Sequence, residues 1–94
     1  MRITFEWDEE KAKKNLQKHK INFAEAKTVF NDPFLLTFPD REYPGNEKRF
    51  INIGNSVNER VLIVIHTERG SNIRIISCRK ATKTERKVYE EGYV

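Results

Sequence analysis

The stretch Arg60-Val61-Leu62-Ile63-Val64-Ile65-His66-Thr67-Glu68-Arg69 decides how this chain folds. Its apolar run is β-branched at every position but Leu62, a composition that fits an extended, pleated strand. Both faces are apolar in the first half, so the strand belongs in the middle of a sheet. Period-two alternation places His66 and Glu68 on the face shared with Leu62 and Val64, and Thr67 and Arg69 on the other. An imidazole and a carboxylate therefore mark the end at which a buried strand becomes polar.

Working outward, Ser71 to Arg79 and Lys48 to Ile53 read as neighbouring strands, joined by a turn around Gly70-Ser71 and by Gly54-Asn55-Ser56. Connections this short imply antiparallel pairing. Phe34 to Phe38 supplies a further strand, and Pro39 to Glu47, with Pro39, Pro44 and Gly45, reads as a loop. At the start, Ile3-Thr4-Phe5-Glu6-Trp7 alternates as a short strand with Ile3, Phe5 and Trp7 inward. Asp8 is the expected N-cap of a helix to about His19, with Glu9 and Glu10 in its first turn and Ala12 and Leu16 as its narrow buried stripe. Asn22 and Glu25 resemble a capping box for a second helix carrying Phe23, Ala26 and Phe30, ending at Asn31-Asp32-Pro33. Thr82-x-x-Glu85 opens a last helix to about Glu91. The expected architecture is α+β: a four-stranded antiparallel meander plus a short N-terminal strand, with two N-terminal helices and one C-terminal helix packed mainly on one face.

Ninety-four residues suffice for one domain, taken as 1–94. With 34% charged and 37% hydrophobic residues the chain reads as globular rather than disordered. Its longest apolar run, Val61 to Ile65, is far short of the roughly 20 residues of a membrane helix, and no signal-peptide layout opens it, so a cytoplasmic protein without membrane contact is expected. A single cysteine, Cys78, allows no internal disulfide and reads as a core filler. No Gly-rich phosphate loop, Cys/His metal spacing or Gly-x-Ser-x-Gly elbow is present, and Asp32, Asp40 and Glu42 flank prolines without a recognised ligand spacing. No cofactor and no metal site are expected, which disfavours a metal-dependent nuclease.

The net charge of +4 is unevenly placed. Residues 1–59 carry ten basic and ten acidic side chains, whereas 60–89 carry eight basic against two acidic, and five of those eight are arginine. Planar guanidinium groups bind phosphate and carboxylate bidentately, so this segment favours a polyanion or an acidic partner, the alternative being a solvated basic face. Arg79 and Lys80 lie just before the N-cap Thr82, and Lys83 and Arg86 follow it. Cations at a helix N-terminus oppose the dipole, an arrangement that a phosphate bound there would relieve. Arg86 and Tyr89 share a helical face. Tyr89 also reads as a core-edge aromatic, His66 as a histidine bonded to a backbone carbonyl, and His19 as a C-terminal partner of the first helix's dipole.

Five separated blocks then become informative together: Phe5-Glu6-Trp7-Asp8-Glu9-Glu10-Lys11-Ala12; Asn15-Leu16-x-x-His19-x-Ile21-x-Phe23-x-Glu25-Ala26; Val29-Phe30-x-Asp32-Pro33; His66-Thr67-Glu68-Arg69; and Arg74-Ile75-Ile76-Ser77-x-Arg79-Lys80-Ala81-Thr82-x-x-Glu85-Arg86-x-x-Tyr89-Glu90. In this order, over nearly the whole chain, they resemble the BrnT family of bacterial type II toxins. The resemblance implies a small RelE-type fold and metal-independent RNA cleavage that arrests translation. It also implies neutralisation by a BrnA-like antitoxin with a ribbon-helix-helix domain, operator DNA met only through the autorepressing toxin-antitoxin complex, and a homodimer within that complex. Cutting RNA through its 2'-OH needs a proton acceptor, cations for the phosphate and a proton donor. On that logic Arg79 and Arg86 stabilise phosphate, Arg69, Arg74, Lys80 and Lys83 bind RNA, and His66, Glu68 and Tyr89 compete for the acid and base roles. The competing reading is a non-catalytic module that binds nucleic acid or a partner protein.

Overall fold

Asp8 turns the chain from a short strand, β1 (Thr4–Glu6), into a helix, α1 (Glu9–His19), by accepting hydrogen bonds from the backbone N–H groups of Glu10 and Lys11 at 2.8 and 3.4 Å. Two of the four otherwise unpaired N–H groups of the helix are met in this way. Asn22 caps α2 (Phe23–Ala26) by accepting from Glu25 N at 2.7 Å, and a 3-10 turn follows over Lys27–Asn31. Glu25 sends its own carboxylate not back to Asn22 but to Ser56 and Arg60, so one half of the expected capping box serves a tertiary contact. The computed structural model describes residues 3–42, 45 and 47–92; Pro44 of the expected loop lies outside them.

β2 (Leu36–Asp40), β3 (Arg49–Asn55), β4 (Val61–Arg69) and β5 (Asn72–Lys80) join β1 in one five-stranded sheet of order β1-β5-β4-β3-β2. β1 runs parallel to β5, and the other neighbours are antiparallel. β2 starts two residues later than expected and includes Pro39, which an edge strand tolerates because one of its sides makes no ladder bonds. Phe34 stays outside, its N–H donated to Asp32 Oδ1 at 2.9 Å in a turn, and the residue is 72% exposed. Gly54 lets the 3-10 turn lie against β3: a Cβ there would meet Leu35 Cδ1 at 2.8 Å and Val29 Cβ at 3.0 Å.

Strict alternation breaks in the middle of β5. Ile65 pairs with Ser77 but His66 pairs with Ile75, so Ile76 is an extra residue and the two halves of β5 present opposite parities to the same face. Ile75 and Cys78, which strict alternation separates, are consequently buried in one core.

That core joins Leu62, Val64, Ile75 and Cys78 to Ile21, Phe23, Ala26 and Val29, under α1 and α2. The opposite face holds Ile53, Ile63 and Ala81, with Val61, Ile65 and Tyr89 of α3 (Lys83–Glu91) packed on it. The expectation of helices mainly on one face is therefore corrected: Val61, Ile63 and Ile65 are as apolar as the residues between them, and α3 covers them. A second correction concerns α1, in which Asn15 is buried and Leu16 is 47% exposed. β1 pairs with β5 only as far as Arg74, leaving the edge of β5 open at Cys78. The Asn15 amide closes it, donating to Cys78 O at 2.9 Å and accepting from Cys78 N at 3.1 Å, as a strand would.

α3 begins with both halves of its capping box in place. Thr82 Oγ1 accepts from Glu85 N at 3.2 Å and the Glu85 carboxylate accepts from Thr82 N at 2.8 Å. Its far end is tied down by Tyr89, whose hydroxyl donates to Asp32 Oδ2 at 2.5 Å.

Candidate functional site

The arginines of the basic segment separate into those already neutralised and those left open. Arg74 donates to Glu6 at 2.7 Å across the β1–β5 pair, and Arg69 donates to Glu47 at 3.3 Å. Arg79 grips both oxygens of Glu85 at 2.7 and 2.8 Å. These bonds from Arg79, reinforced by the Thr82 N–H, outweigh partial burial and hold the Glu85 carboxyl down at about 2. The anion expected at the start of α3 is therefore the helix's own Glu85, and Arg79 is spent on it.

Arg60 donates to both carboxylate oxygens of the buried Glu25. Ser56 adds a hydrogen bond to the same carboxylate at 2.6 Å. These bonds fix the guanidinium at the start of β4, where Arg60 helps line an open cleft of about 360 Å³ with Glu59, Val61, Lys80, Arg86 and Glu90. Two expected RNA-binding or catalytic residues, Lys80 and Arg86, thus meet at the end of the sheet where β4 starts and β5 stops. Among the described residues the side chains of Lys80 and Arg86 make no hydrogen bond or ion pair, and the same holds for Lys83 in the first turn of α3.

His66 lies elsewhere. It is five residues along β4 from Val61, roughly 17 Å at the usual strand rise, so one phosphate cannot touch both ends. Its ring is buried between Phe50, stacked at 5.1 Å, and Phe30, edge-on at 5.3 Å. Asn52 Nδ2 donates to Val64 O at 3.0 Å and lies 2.7 Å from His66 Nδ1, while Thr37 Oγ1 donates to Asn52 Oδ1 at 2.8 Å. With the Asn52 amide so oriented, Nδ1 is an acceptor, and the ring's proton sits on Nε2 toward Glu68 Oε2 at 3.3 Å. Burial pushes the imidazole below its ordinary value, and the exposed Glu68 carboxylate opposes this only in part. The result is a neutral, oriented histidine beneath an exposed carboxylate.

Tyr89 is likewise committed. Burial and its hydrogen bond to Asp32 raise the phenol to about 12. Asp32 also accepts from the N–H groups of Asn55 at 2.7 Å and Phe34 at 2.9 Å, and these bonds together outweigh its own burial and keep it ionised below the usual carboxylate range. Cys78 behaves as the core residue expected, its thiol pushed up to about 11 by burial. The structure accordingly gathers Lys80 and Arg86 at one cleft, His66 and Glu68 at the other end of β4, and engages Arg69, Arg74, Arg79 and Tyr89 in pairs. Glu25, Asn52 and Asp32 were missed as positioning groups. For Glu25 and Asp32 the only local signal was a capping or turn pattern, which gave no hint of a second partner.

Among the described residues no helix is long and apolar enough to cross a membrane, and no three His, Cys, Asp or Glu side chains converge as a metal-binding group. Comparison with known proteins identifies a class: a family model described as a ribonuclease toxin of type II toxin-antitoxin systems matches residues 7–85. That family is BrnT, and the chain belongs to it. The 1.1 Å crystal structure of the ribonuclease toxin BrnT of Brucella abortus matches with a TM-score of 0.67 and 26% identity, covering 87% of this chain and 100% of that one. No curated protein matches the chain. The matched family span contains His66, Glu68 and Lys80 but ends before Arg86, Tyr89 and Glu90.

Proposed function

We propose that this protein is the toxin of a type II pair, an endoribonuclease that cuts RNA through the substrate's own 2'-OH without a metal and so arrests translation in the cytoplasm. The observation that carries this reading is the family match across residues 7–85, in a chain whose unpaired cations Lys80 and Arg86 share an open cleft. Arg86, Lys80 and Lys83 contact RNA phosphate in this reading, whereas Arg69 and Arg74 are held by Glu47 and Glu6 and reach RNA only if those pairs open. Arg79 acts through Glu85 and Tyr89 through Asp32, both setting the position of α3. His66 and Glu68 form a separate hydrogen-bonded pair at the other end of β4. A BrnA-like ribbon-helix-helix antitoxin neutralises the toxin by covering part of residues 60–89, and the complex, with a toxin homodimer inside it, is what meets operator DNA. The arrangement of the sheet and helices is taken as RelE-like.

The test is purified protein with RNA in EDTA. Cleavage is expected, reduced in Arg86→Ala and in the charge-reversed Lys80→Glu, Lys83→Glu double variant. RNA binding that weakens steeply with salt but yields no fragments points instead to a non-catalytic module and overturns the enzyme reading.

A further inference from the structure

The cleft at the end of the sheet holds a second kind of charge. Glu59 and Glu90 line it together with Lys80 and Arg86, and among the described residues none of these four side chains has a hydrogen bond or ion pair. By contrast Arg60, Arg69, Arg74 and Arg79 of the basic segment each hold a carboxylate. Arg86 and Glu90 stand one helical turn apart without pairing, and the order cation then carboxylate is the weaker one for such a pair. Two open carboxylates beside two open cations are what transfer to a 2'-OH requires, an acceptor for one proton and positive charge for the phosphate oxygens. Arg60 adds a fixed guanidinium at the same wall, with two of its five N–H groups held by Glu25.

We propose that Glu90 is the proton acceptor for RNA cleavage in this cleft, with Lys80 and Arg86 on the scissile phosphate; the assignment rests on the ribonuclease reading above. The Glu90 carboxylate takes the proton of the 2'-OH as the O2'–P bond forms. The P–O5' bond breaks, and the departing oxygen takes a proton from water. The hydroxide left behind recovers the proton from Glu90, so no water is consumed and the ends are a 2',3'-cyclic phosphate and a 5'-OH. Glu90 is favoured over Glu59 because α3 carries it one helical turn from Arg86, whereas Glu59 sits in the turn before β4 with a left-handed φ of 59°.

Full-length wild type, Glu90→Gln and Glu90→Asp are compared in EDTA on an RNA oligonucleotide, and for binding on its 2'-deoxy analogue, which lacks the nucleophile. Glu90→Gln is expected to lose cleavage on the order of 10²-fold or more while binding the analogue as wild type does, and Glu90→Asp to recover part of the loss. Position 90 is exposed, so the variant folds, which circular dichroism checks. Glu90→Gln cutting within a few-fold of wild type overturns the assignment and leaves the ribonuclease reading standing. Cleavage lost in Glu59→Gly and kept in Glu90→Gln overturns it in favour of Glu59. A wild-type protein that cuts nothing overturns both readings together.

Discussion

The two faces of the sheet solve the same problem in opposite ways. Under α1 and α2 the apolar core is continuous and every buried polar side chain there serves another element: Asn15 closes the edge of β5, Glu25 holds Arg60 and Ser56, and Asn52 holds His66. Under α3 the core is smaller, and the helix has no fully buried residue of its own. It is kept in place by a capping box, by Arg79 on Glu85 and by Tyr89 on Asp32. The first face puts its polar groups into stability. The second leaves Arg86 and Glu90 of α3 unpaired beside an open cleft, which Lys80 lines from the end of β5.

Substitutions on the two faces should therefore differ in kind. Asn15→Ala is the largest expected effect, a loss of about 3 kcal/mol in urea unfolding, because it strands the buried N–H and C=O of Cys78. A loss below about 1 kcal/mol would mean that β5 finds another partner there. Tyr89→Phe should cost about 1.5 kcal/mol by the same measurement, since it removes one hydrogen bond to an ionised carboxylate but leaves the ring packed. The smallest effect is a pH slope. A folded His66 resists the proton that its unfolded form accepts below about 6.5, so the unfolded state binds more protons and stability must fall as pH drops through that value. His66→Gln should flatten that part of the stability–pH curve, and an unchanged slope would assign it to other groups.

Much of the fold was legible because it is written in short-range chemistry. Asp8 and the Thr82–Glu85 box each satisfy N–H groups two or three residues away, and the structure starts α1 and α3 where those caps stand. The apolar run of β4 placed it centrally for a similar reason, since a residue's hydropathy travels with it. The bulge at Ile76 was not legible: nothing in Arg74-Ile75-Ile76-Ser77 distinguishes a strict alternation from one that slips by a residue. Leu16 was expected inside by hydrophobicity, but at that point the missing β5 neighbour made a hydrogen-bonding side chain the better occupant, and Asn15 is buried instead. The expected catalytic set was drawn from one basic, titratable stretch of chain, and strand geometry then carried His66 and Glu68 away from Arg86.

By itself the sequence determined the order of elements, the central strand and the concentration of cations in residues 60–89, because propensity, capping and charge belong to a residue and its near neighbours. Only the tertiary structure decided which of those cations remain available. Arg60 meets Glu25 across 35 residues and Arg74 meets Glu6 across 68, so their neutralisation depends on distances through space that no local pattern encodes. The pairing left Lys80 and Arg86 as open cations in a cleft with two carboxylates. A count of basic residues became a particular candidate site because the fold paired most of the others.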